Sequence, residues 1–369
     1  MRASGFLFAA VCGQLLAVDA QNAESSCAAL EAAHPRCEKL VQRKAWHTLS
    51  NDEKKSYLDA EVCLLNTPLS TLPSLQTKDQ LSRFPIAKTL FQALQEQHQL
   101  QSDFIHEVGA FLPYHRYMTH AHESLLRNKC NYTGAQPYWD EERDASHFAN
   151  SSIFDAEFGF GGREPGCISD GPFKNYTLVI GPGKNNSVHC LERAIDDVAS
   201  QAASKVFLDF VRNSTSFEEA WERIEFYPHS AGHSGVGGEM LNPISSPGDP
   251  MFYVHHAFVD KLWWDWQVAD LEKRLYAIGG PTVKDPNRPA PVPEGWMPDG
   301  EIPARVRKRH EAHARKHSLK RQDDADQGNG TAATTTTLEH GISLFGLLED
   351  VTAEDVMDIR NELLCYEYV

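Results

Sequence analysis

The chain has 369 residues, of which 41% are hydrophobic, and a net charge of −16 from 51 acidic and 35 basic side chains. That length is enough to bury a substantial core in one large or two small domains, and the hydrophobic content excludes a disordered protein. The acidic balance excludes a nucleic-acid binder, which needs clustered Lys and Arg against phosphate. No apolar run reaches the ~20 residues of a membrane span.

Close behind Arg2, the stretch GFLFAAVCGQLLAV ends near Asp19-Ala20 and reads as a secretory signal peptide over residues 1–20. Sequons at Asn131, Asn150, Asn175, Asn185, Asn213 and Asn329 fit a secreted chain open to N-linked glycans. Cys12 leaves with the signal. Cys27, Cys37, Cys63, Cys130, Cys167, Cys190 and Cys365 remain, an odd set in an oxidising compartment, and their pairing is not readable from sequence.

From Arg43 to Leu65, a Ser50–Glu53 capping box precedes Tyr57, Leu58, Val62 and Leu65 at helical spacing. Further helical stretches are predicted over about 86–111, 114–127, 190–224 and 252–275. Between 128 and 188 the pattern gives way to Gly, Pro and Asn, but Tyr138, Trp139, Phe154, Phe158 and Phe173 need burial, so an ordered irregular region is expected. The main domain is placed at 21–303. Residues 304–340 run from basic to low complexity and read as a linker, and 341–369 form a C-terminal segment that Cys365 can tie to the body. Lys320-Arg321, followed by Gln322, is a kexin-type dibasic site, so proteolytic processing of the linker is expected.

The 17 histidines are not scattered. His98, His106 and His115 are spaced 8 and 9 apart, and His229, His233 and His256 are spaced 4 and 23 apart. Four residues apart on a helix places two imidazoles on one face, and a third from a neighbouring helix completes a trigonal set with open positions. Imidazole suits copper, zinc, iron and nickel alike. His120 and His122, the tail residues His310, His313 and His317, and the isolated His34, His47, His147, His189 and His340 read as ordinary surface or core histidines.

The stretch HEVGAFLPYHRYMTHAHESLL, with His106, His115 and Glu123, resembles the first copper motif of the tyrosinase, catechol oxidase and hemocyanin (type-3 copper) family. Tyr114 stands where Trp is common. HSAGHSGVGGEM and SSPGDPMFYVHHAFVDKLWWDWQ resemble its second copper motif, in which the second His of the pair is the ligand, so His256 is carried over and His255 becomes its neighbour. PYWD at 137–140, GFGG at 159–162 and DGPF at 170–173 extend the resemblance to roughly 37–267, toward short secreted fungal members.

The resemblance implies a mainly α fold: an antiparallel four-helix bundle holding a dinuclear metal site, with long irregular loops and little β. It implies two copper ions, one on His98, His106 and His115 and the other on His229, His233 and His256, with His98 the only upstream histidine in reach. The activity implied is O2-dependent oxidation of o-diphenols or o-aminophenols, and in some members monophenols, to quinones. The partners are a small phenolic or aromatic substrate and O2. Glu225 falls where the family orients a water, with Glu219 and Glu222 as competitors, and Ser230 replaces the family's Asn. Diphenol oxidation is therefore favoured over monophenol hydroxylation. Asp260, one turn beyond His256, is expected to support that ligand. Phe104 replaces the Cys of a thioether crosslink, so that bond cannot form. Two other readings are zinc in the same site, running non-redox lyase chemistry, and reversible O2 carriage.

Overall fold

Helix α1 (Asn51–Asn66) begins where the sequence places it, with the Ser50 and Glu53 side chains each accepting the other's backbone N–H. The computed structural model describes residues 35–285, 291 and 334–369. The signal peptide, Cys27, Asn329, the Lys320-Arg321 site and His34, His310, His313 and His317 lie outside the described residues.

Helix α2 (Leu90–Ile105) opens on Thr89, whose hydroxyl accepts the Gln92 N–H, and the buried Glu96 carboxylate takes the N–H groups of Ile86 and Ala87 just upstream. The chain turns extended at His106, takes a positive φ of 57° at Glu107 and re-enters a helix at α3 (Phe111–Cys130). Pro113 lies in the first turn of α3, where its missing N–H would have had no intrahelical partner. Asn131 ends the helix in the left-handed conformation, a position Asn tolerates well.

The predicted helix over 190–224 breaks up. The Asp196 carboxylate accepts the N–H groups of Val198 and Ala199 at 3.0 Å each, an alternative to helical bonding. Helices resume only at α4 (Lys205–Arg212) and α5 (Phe217–Ile224), the second capped by Ser216. Residues Glu225–His229 widen into a π turn around Pro228, which cannot donate in a regular α turn. Helix α6 (Ser230–Val236) and helix α7 (Met251–Val268) follow.

The fold is mainly α. Helix α3 packs against α1, α2 and α7, and α5 packs against α7. The strands β1 (Val41–Arg43), β2 (Gly166–Cys167), β3 (Thr177–Leu178), β4 (His189–Cys190), β5 (Glu192–Arg193), β6 (Gly341–Ile342), β7 (Val351–Thr352) and β8 (Tyr366–Tyr368) form only two-stranded ladders. The irregular region is ordered by its aromatics: Tyr138, Trp139, Phe154 and Phe173 are buried, and Phe158 is half-buried. One core cluster joins α1, α2 and α3 to these loops, and a second joins α4 and α5 to the Trp263 and Trp266 face of α7.

The C-terminal residues return to the beginning of the body. Strand β8 pairs in parallel with β1, Val41 opposite Tyr366, and Cys365 is bonded to Cys37. Cys63–Cys130 and Cys167–Cys190 are the other disulfides among the described residues. Asp260 serves this junction. Its carboxylate accepts from Arg116 Nε, Tyr366 Oη and Tyr368 Oη, each at 2.5 Å. It gives His256 no hydrogen bond, and neither nitrogen of that ring has a partner. The expectation that Asp260 supports His256 is corrected: the Asp260 carboxylate, one turn along α7 from His256, is taken up by Arg116 and the two tyrosines of the tail.

Candidate metal centre

The two spaced sets of histidines converge. His98 projects from α2, His106 from the turn after it and His115 from α3, with ring centroids 5.0 to 5.6 Å apart. His229 and His233, on successive turns across the π widening, have centroids 4.5 Å apart, and His256 of α7 lies 5.2 and 5.5 Å from them. The triads adjoin through the His115 and His256 rings, stacked at 4.4 Å and 12°. Phe111 and Phe252 fill the flanks, 4.7 Å from His229 and 4.1 Å from His256 respectively.

Five of the six rings are aimed by the backbone. Nδ1 of His98 lies 3.0 Å from the Ile244 carbonyl, and that of His106 is 3.0 Å from Ser102 O. Nδ1 of His115 is 2.8 Å from Phe111 O, that of His229 3.1 Å from Glu225 O, and that of His233 2.7 Å from Met240 O. A carbonyl only accepts, so each of these nitrogens carries the proton and each Nε2 presents a lone pair. The Nε2 atoms of His98 and His115 face each other at 3.5 Å. Two lone pairs at that distance repel, and a cation between them turns the repulsion into coordination. Nε2 of His229 and both nitrogens of His256 are buried without a hydrogen-bond partner. One ring nitrogen from each histidine of the first triad lies within 4.8 Å of the others, and the same holds for His229, His233, His256 and His255.

Burial, reinforced by neighbouring imidazoles, holds His98, His115, His229, His233 and His256 well below the usual histidine range. Burial takes His106 down to about 4. All six rings are therefore neutral near pH 7, the form that binds a metal. An all-imidazole, neutral, convergent donor set fits a pair of copper ions well.

Glu225 sits beside this centre in a closed cradle: Oε1 accepts the Glu107 N–H and Oε2 the Trp221 indole N–H, both at 2.7 Å. Burial pushes its carboxyl up to about 8. Its competitor Glu219 accepts instead from Thr215 at the exposed start of α5. The Ser230 hydroxyl donates to the Glu225 main-chain carbonyl at 3.0 Å, so it is directed at the helix and not at the carboxylate. Of the histidines read as ordinary, His122 is a core residue: it bridges Gln136 and Glu61 and stacks on Tyr253 at 3.6 Å.

Three residues at the site were missed in the sequence. Glu107 and Lys284 form an ion pair at the His106 turn. Glu141, directly after the PYWD stretch, places Oε1 2.5 Å from His255 Nδ1, with both side chains fully buried. Position beside a quoted motif was the one signal that pointed to Glu141.

The common central domain of tyrosinase matches residues 83–269. The tyrosinase-like protein phomQ1 of Diaporthe leptostromiformis is 30% identical over 359 residues, covering 90% of this chain and 78% of that protein. The N-acetyl-6-hydroxytryptophan oxidase ivoB of Emericella nidulans is 28% identical over 304 residues, covering 65% and 80%. Among solved structures, a polyphenol oxidase from Thermothelomyces thermophila superposes with a TM-score of 0.69 at 25% identity, covering 94% of this chain and 93% of that one. By sequence and by fold, the chain belongs to the tyrosinase family and is a tyrosinase-like oxidoreductase.

Proposed function

We propose that His98, His106 and His115 hold one copper ion, that His229, His233 and His256 hold a second, and that the chain uses O2 to oxidise o-diphenols or o-aminophenols to quinones. The family implies a dinuclear copper site. The observation that carries the assignment is the common orientation of the rings: five Nδ1–H groups are taken by backbone carbonyls, leaving their Nε2 lone pairs to converge. Copper supplies the electron transfer that couples oxidation of two diphenols to reduction of one O2 to water.

The chain's own residues do the rest. The backbone carbonyls keep each ring in one tautomer and one plane, and Phe111 and Phe252 exclude water from between the triads. Glu225, held by Glu107 and Trp221, orients the water that takes a phenolic proton. Ser230, whose hydroxyl is spent on the helix backbone, gives that water little help, and this favours diphenol over monophenol turnover. A relative named as an oxidase of a hydroxytryptophan supports an aromatic hydroxyl as the substrate group. A role in pigment or secondary-metabolite formation fits such products. Three disulfides fit passage through an oxidising compartment, and no described helix is long and apolar enough to cross a membrane. Asn131, Asn150, Asn175, Asn185 and Asn213 are all exposed, as N-glycosylation of a secreted chain requires.

Metal analysis of the purified protein with O2 uptake on catechol and on tyrosol tests the reading. Two coppers per chain, with faster uptake on catechol, is expected. Two zinc ions per chain, with no O2 uptake after copper loading, rejects it.

A further inference from the structure

His255 is more than the neighbour of a ligand. Its ring centroid lies 4.7 Å from His233 and 5.6 Å from His229, and that of His256 lies 5.5 and 5.2 Å from the same two rings. The adjacent imidazoles of α7 are thus about equally near the paired histidines. Their surroundings differ. His255 has its Nδ1 against the Glu141 carboxylate at 2.5 Å, and its buried Nε2 has no partner. That is the arrangement of a ligating histidine, with one nitrogen oriented by a carboxyl group and the other left open. His256 has neither nitrogen fixed.

The backbone makes room for this pair. A Cβ on Gly232, between His229 and His233, would lie 2.1 Å from His255 Nδ1 and 2.8 Å from Glu141 Oε1. Only a glycine lets the HxxxH turn close over the His255–Glu141 unit.

We propose that His255, oriented by Glu141, is a fourth imidazole donor of the second triad, receiving the incoming ion together with His229 and His233 before His256 takes it over. The inference rests on the copper assignment above. It makes His255 and Glu141 loading residues: the finished site keeps its ions without them, but the second ion enters slowly.

The test is copper uptake by the full chain, stripped with cyanide and reloaded with Cu(I), in a His98→Ala background that disables the first triad. Glu141→Gln keeps the side-chain volume and an acceptor for Nδ1 but removes the charge, and His255→Gln removes the donor. Uptake slowed about 10–100-fold in both, the usual cost of losing a metal ligand's outer partner, with the final copper content unchanged, is expected. Uptake at the parental rate in Glu141→Gln overturns the proposal, whatever His255→Gln does, and serves if His255→Gln folds poorly. A wild-type chain that binds no copper overturns the copper assignment and this inference together. A wild-type chain with two coppers and variants that load at the parental rate overturns this inference alone.

Discussion

Replacing Asp260 tests the claim that a carboxylate on α7 holds the C-terminal segment to the body. Its side chain is 1% exposed and pairs with Arg116 at 2.5 Å and Arg43 at 3.5 Å, both guanidiniums fully buried. In Asp260→Ala, Arg43 keeps Glu123. Arg116 keeps only neutral acceptors, namely Gln267 and the carbonyls of Val356 and Met357. Tyr366 and Tyr368 lose the acceptor of their hydroxyls. Leaving one buried charge without its anion costs about 3–5 kcal/mol. At about 1–2 °C per kcal/mol for a chain of this size, the melting midpoint falls by roughly 5 °C. Asp265 is the control on the same helix: it pairs with Lys261 at i, i+4 and is 35% exposed. Such a pair is worth about 0.3–0.5 kcal/mol, so Asp265→Ala shifts the midpoint by less than about 1 °C. Thermal unfolding followed by far-UV circular dichroism reads both. Equal shifts in the two variants would refute the reasoning, because burial is the property that separates them.

Other consequences follow from the same geometry. Burial pushes the Glu123 carboxyl up, but the Arg43 guanidinium overrides it and the net pKa is lowered. A depressed carboxyl stabilises above its unfolded pKa of about 4.3 and loses that contribution as pH falls through the folded value. Glu123→Gln therefore flattens the loss of stability below about pH 5, and an unchanged acid limb in urea titrations would contradict the pairing. Cys365→Ser opens the bond to Cys37 across 328 residues and is expected to cost about 2–4 kcal/mol. Faster proteolytic release of the C-terminal segment should accompany it, and a segment that resists release would show the sheet and the Asp260 contacts to be sufficient. Gly232→Ala drives a methyl into His255 and Glu141. A loss of about 1–3 kcal/mol with reduced copper at the second triad is expected, and wild-type copper content would show that the pair can move aside freely.

The sequence alone singled out the six histidines, because the stretches that resemble the two copper motifs are local in sequence, even though the side chains come from several elements, His98 from α2, His115 from α3 and His256 from α7. The α1 capping box, also local in sequence, was legible for the same reason. The helix expected over 190–224 was not, since the Asp196 carboxylate competes with the helix for backbone N–H groups in a way that periodicity does not register. What only the tertiary structure decided were contacts between distant segments. Glu141 meets His255 across 114 positions, and Asp260 meets Tyr366 across 106. The choice between supporting His256 and anchoring the tail was settled by the Arg116 guanidinium and the Tyr366 and Tyr368 hydroxyls, which come from other elements and take the Asp260 carboxylate. Local spacing carries information about a single element, and a buried carboxylate is assigned its partner only when the elements close around it.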